Sequence, residues 1–216
     1  MLLRRSMMLM VTALVCGRAH AQAVTHPNLN AQLLVAARQG DLPALRRALG
    51  QGAAPNSRNR LGKTALLMAA EKGQLPLAEA MLQAGTDVNL ASLEGVTPLM
   101  AASYGGHAAL AKKLLAAGAD PRPIDRMKKS AMVYAAAQGH AEVVTLLLDH
   151  GVPIDAPYEH ALTALMWAAG QGQGPAAQVL LARGARADLR DDRGLSAAEI
   201  ASQAGHVQVA ALIVPR

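Results

Sequence analysis

The chain has 216 residues, 52% of them apolar, yet only 2% are aromatic and none is Phe. A core must therefore be built from Ala, Leu, Met and Val, side chains small enough for helices whose axes lie about 8–10 Å apart. The formal charge of +6 drops to +3 if residues 1–21, with Arg4, Arg5 and Arg18, are removed, which is too little to argue for a nucleic-acid partner.

Residues 1–21 read as an export signal. Arg4 and Arg5 give a positive start, Met7–Val15 is a short apolar run, and Ala19-His20-Ala21 has the form of a cleavage site before Gln22. The run is too short to span a bilayer, which takes about 20 residues. Its length and the A-x-A site look bacterial, so the expected address is the periplasm or beyond. The Arg4-Arg5 pair leaves twin-arginine export open beside the general route. Lipidation at Cys16, the only cysteine, is also open, although Ala13-Leu14-Val15 fits a lipid box poorly.

Gln22–Asn30 reads as a short polar linker containing Pro27. From Ala31 a frame of 33 residues returns six times without a slip: AQLLVAARQGDLPALRRALGQG, then copies from Thr64, Thr97, Ser130, Thr163 and Ser196. Each copy is predicted as two short helices, at about 31–52, 64–85, 97–118, 130–151, 163–184 and 196–214. Thr64, Thr97, Ser130, Thr163 and Ser196 stand where a hydroxyl caps a helix start. Gly40, Gly73, Gly106, Gly139, Gly172 and Gly205 recur between the helices, and Gly52, Gly85, Gly118, Gly151 and Gly184 recur after them. The turn-rich stretches between pairs read as extended hairpins. Prolines at 121, 123, 153 and 157 keep two of them from pairing regularly. Arg46 and Arg47 suit a half-solvated first unit, and Val207–Val214 closes the array with Gln203 and Gln208 outward.

The period and the [TS]-[PA]-L-x-x-A-A-x-x-G-H pattern resemble the ankyrin repeat family. The resemblance implies an all-α solenoid of about six stacked helix-turn-helix repeats with connecting hairpins. Two departures mark this chain. The family's His three residues after the Thr is replaced by Leu34, Leu67, Met100, Val133, Met166 and Glu199, and the hairpin-tip Asp and Gly occur together only as Asp191 and Gly194. Stacking is therefore expected to rest more on apolar contact.

Motifs of chemistry fail on context. Gly62-Lys63-Thr64 lacks the first glycine and the strand of a phosphate loop, and Gly170–Gly174 lies between two helices. His107, His140 and His206 share one register, but stacked repeats hold equivalent residues about 8–10 Å apart. A shared zinc needs its nitrogens about 2.0–2.1 Å away. No metal, no cofactor and no enzyme is expected.

In the ankyrin family the partner meets the hairpin tips and the exposed side of the first helix. Carried onto this chain, that surface takes in Leu93, Glu94 and Val96 with Tyr104. Arg126, Met127 and Lys129 with Gln138 follow, then Tyr158, Glu159, His160 and Leu162. Arg58, Arg60 and Lys63 precede this patch, and Asp192, Arg193 and Leu195 follow it. Tyr134 and Trp167 fall on the inward register and are expected in the core. The resemblance thus implies a non-enzymatic, monomeric scaffold without a membrane span, which binds another protein. The alternatives are a secreted factor acting on a host protein, or a small-ligand site or enzyme at the 158–162 hairpin.

Overall fold

The computed structural model describes residues 27–214; the expected export signal, with Cys16, lies outside the described residues. Helices pair along the chain: α1 (Pro27–Gln39) with α2 (Leu42–Gly50), α3 (Ala65–Glu71) with α4 (Leu75–Gln83), and α5 (Pro98–Tyr104) with α6 (Ala108–Ala116). Then come α7 (Ala131–Gln138) with α8 (Ala141–Asp149), α9 (Ala164–Gly170) with α10 (Gly174–Ala182), and α11 (Ala197–Gln203) with α12 (Val207–Ile213). The helix α1 begins ahead of the expected boundary, so 27–30 are helical and not linker. Proline is tolerated in a first turn, so Pro27 marks a helix start. Asn30 serves the fold there, its Oδ1 accepting from the Ala54 amide at 2.8 Å.

The hydroxyls act as caps. Thr64, Thr97, Ser130, Thr163 and Ser196 each accept from the amide three residues on, at 3.1–3.3 Å. Such a cap is worth about 1 kcal/mol. Where the family pattern has His, the side chains of Met100, Met166 and Glu199 reach back to the cap's own amide. The lost imidazole is replaced locally.

The inter-helix glycines do two jobs. Gly73 has φ +64° and Gly172 +68°, left-handed backbone that favours glycine. The next repeat also lies against them: a Cβ on Gly73 would meet the His107 ring at 2.5 Å, and one on Gly172 the His206 ring at 2.7 Å. Gln74, His140 and Gln173 cover Gly40, Gly106 and Gly139 in the same way. The recurring histidines are thus packing pieces, and His140 Nε2 also sits 2.9 Å from the Tyr104 carbonyl oxygen.

One continuous core runs from Leu33 to Ile213. The first helices supply small residues such as Ala65, Ala69, Ala135, Ala136, Ala168 and Ala169 beside large ones such as Leu66, Leu99, Met132 and Leu165, and the second helices supply Leu110, Leu114, Val144, Leu147 and Leu180. Small side chains let the first helices approach one another more closely than the second helices do. That difference in width bends the stack toward the first helices, giving a concave side. At the far end Gln203 and Gln208 are exposed as expected, but Val207 on α12 is 71% exposed as well, with Leu212 and Val214 exposed beside it.

The hairpins are tight loops with little strand pairing; among the described residues the one bridge outside helices joins Arg58 to Thr64. Asn59, Asp125 and Asp191 each accept from two amides of their own tip at 2.8–3.0 Å, and Ser92 accepts one at 3.3 Å. The family's tip aspartate thus has working substitutes. Adjacent hairpins are also bonded, so stacking does not rest on apolar contact alone. Asn56 accepts from the Asp87 amide, Asn89 from that of Asp120, and Asp155 from that of Arg186, at 2.9–3.0 Å. Tip to tip, the amides of Leu93, Arg126 and Asp192 donate to the carbonyls of Leu61, Glu94 and His160 at 3.0–3.1 Å.

A concave groove beside two tyrosines

Val96 ends the second hairpin, Thr97 caps α5 behind it, and one further helical stretch brings Tyr104 to the concave side, 56% exposed. On the neighbouring first helix Tyr134 meets Tyr104 edge to face, ring centroids 5.6 Å apart and planes at 89°. Beside this pair runs a groove of about 380 Å³ lined by Glu71, Val96, Met100, Ala101, Tyr104 and Tyr134. Its floor is apolar. Its one carboxylate, Glu71, is paired with Lys63 at 2.6 Å.

The third hairpin is tied to this groove through Asp125. This buried carboxylate accepts from the Met127 and Lys129 amides at 2.8 and 3.0 Å, and on its other oxygen from the Tyr134 hydroxyl. Burial, and then donation to Asp125, pushes the Tyr134 phenol well above its ordinary pKa. Lys129, next along, places its ammonium 5.7 Å from the Tyr134 ring centre and 5.4 Å from that of Trp167. A cation over an aromatic face gains about 0.5–1 kcal/mol at an exposed site. Tyr134 and Trp167 pack against the core as expected but are only half-buried, and Tyr134 is also a wall of the groove.

The expected surface residues divide. Val96, Tyr104 and Lys129 gather at the groove; Leu93, Glu94, Arg126 and Met127 stand exposed on the two tips beside it, Met127 at 64%. The tips are joined by the Arg126 amide on the Glu94 carbonyl, with the side chains paired at 3.7 Å. Gln138 is exposed at the end of α7 and does not line the groove. Tyr158 and Leu162 lean on the core, and burial raises the Tyr158 phenol while a Ser130 hydrogen bond opposes it. Glu159 and His160 are exposed on a separate tip, where His160 lies 3.6 Å from Asp192. Sequence reasoning missed Glu71 and Tyr134 as groove walls.

Among the described residues no three His, Cys, Asp or Glu side chains gather as a metal site requires, and no helix is long and apolar enough to cross a membrane. The architecture is that of a helix-pair solenoid presenting a shaped surface. The family model for ankyrin repeats (3 copies) matches residues 33–125, 85–157, 101–191 and 134–216, and the chain belongs to the ankyrin repeat family. Ankyrin repeats mediate protein–protein binding, and the family is generally non-enzymatic. A search of curated proteins found no match.

Proposed function

We propose that this chain is an exported bacterial scaffold, resident in the periplasm, which captures a partner protein on its concave side without catalysing a reaction. The Tyr104–Tyr134 groove carries the reading. It is apolar, open and bordered by exposed Leu93 and Met127, where packing needs neither side chain. Aromatic walls are favoured anchors at interfaces. Stacked repeats hold the surface in order before docking, so little entropy is lost on binding. The pattern at Arg4-Arg5, Met7–Val15 and Ala19-His20-Ala21 supports export.

A photo-reactive phenylalanine in place of Tyr104 is expected to crosslink a partner in periplasmic extract, whereas one in place of Lys112, exposed on α6, is not. Crosslinks from position 112 alone would move the site to the second-helix side. Fractionation with mass analysis of the mature end is expected to find Gln22 first, in the periplasmic fraction. An intact Met1 in the cytosol would overturn export.

A further inference from the structure

We infer that the groove takes an acidic segment of a partner protein, with one apolar side chain seated against Tyr104 and Tyr134 and a carboxylate on Lys129. The inference names the partner's chemistry and rests on the concave-side reading above.

Some of the charge at the groove is already engaged and some is left over. Glu71 is paired with Lys63 at 2.6 Å and Glu94 with Arg126 at 3.7 Å, and the buried Asp125 has its oxygens occupied by the Tyr134 hydroxyl and two amides. Among the described residues Lys129, Lys128, Arg58 and Arg60, all on hairpins of this side, make no ion pair with a carboxylate. The free charge beside the apolar floor is therefore positive.

Lys129 is the best placed of these. Its ammonium is held over two rings, and its backbone amide is fixed on Asp125, so a lysine side chain's usual freedom is already reduced before a ligand arrives. An incoming carboxylate meets a donor positioned 5.7 Å from the ring of Tyr134, a wall of the groove, while the groove volume of about 380 Å³ accepts a leucine- or phenylalanine-sized side chain. A basic segment would instead have to break the Lys63–Glu71 pair and approach Lys129 and Lys128 with like charge.

The test is selection of a random 16-residue peptide library displayed on phage against the immobilised protein spanning residues 22–216. Enriched peptides are expected to carry Asp or Glu flanking a large apolar residue. Binding of the best synthetic peptide should fall at least tenfold with Lys129→Met and with Tyr104→Ala, and should weaken as salt rises. Binders that need Tyr104 but are neutral or basic, or that ignore Lys129→Met, would overturn the acidic partner and leave the concave site standing. No binders, or binders indifferent to Tyr104→Ala, would overturn both. Vesicles with and without phosphatidylglycerol form the second arm. Sedimentation with the anionic vesicles that survives Tyr104→Ala would assign the cations to a lipid surface and overturn the inference.

Discussion

The joint between the hairpins at 86–96 and 119–129 differs from the next one, between 119–129 and 152–162. The first is bonded at both ends: Asn89 accepts from the Asp120 amide and the Glu94 carbonyl from the Arg126 amide. At the second, neither bond is present among the described residues. The acceptor's place is taken by Arg122 and the donor's by Pro153, which has no N–H. The fourth tip begins at Tyr158, which cannot accept from the amides as Asn59 and Asp125 do, and it turns through Glu159–Ala161 with His160 and Ala161 at positive φ. A cleft of about 570 Å³ opens there, lined by Asp120, Arg122, His150 and Pro153 among others. Helix packing, Gln173 over Gly139 and the Arg183–Asp149 pair still span it. A regular period thus does not mean uniform cohesion, and in a stack whose units touch only neighbours the weakest joint decides where it opens.

The largest effect is expected at the turn that still holds this joint. Gly139 has φ +81° and lies under Gln173, so Gly139→Val should cost about 2–3 kcal/mol of stability in urea unfolding, and Gln138→Ala within about 0.5 kcal/mol. Equal midpoints for the two variants would remove the glycine turn from the account. Next comes the side of the joint that Asp125 organises. Tyr134→Phe leaves a buried carboxylate short of a donor and should cost about 1–1.5 kcal/mol at neutral pH. Because the phenol's pKa is raised in the fold, its contribution is complete below the unfolded value of about 10 and fades as pH climbs beyond it. The Phe variant should therefore show a flatter alkaline decline, and an unchanged slope would deny the buried hydrogen bond. The smallest effect belongs to the missing rung. Arg122→Asn with Pro153→Asp should show a favourable coupling of about 0.5–1 kcal/mol in a double-mutant cycle, and zero coupling would mean that the cleft is not a lost bond. Hydrogen exchange should divide the native protein into two protected units at this joint, merging in the double variant.

Much of this was legible in the residues. The glycine turns and hydroxyl caps stand out because each needs one residue type for a local geometric reason. The contacts between repeats were harder to see. Asn56, Asn89 and Asp155 look like ordinary turn residues until the loops are laid side by side, and the Arg122–Pro153 gap has meaning only against those rungs. Tyr134 and Trp167 pack against the core as periodicity indicated, yet only half-buried, because periodicity gives direction but not available width. Tyr158 and Leu162 differ in the opposite sense: they lie on a hairpin, yet their bulk leans on the core.

Trp167 is the only tryptophan in 216 residues, and it lies beneath the Lys129 ammonium with its indole nitrogen buried and without a hydrogen-bond partner among the described residues. Indole emission from this protein therefore comes from beneath Lys129, which also stands beside the groove wall Tyr134, and nowhere else. Any ligand that draws the ammonium off the ring changes the brightness and colour of that emission, so the chain carries its own unlabelled optical gauge of occupancy.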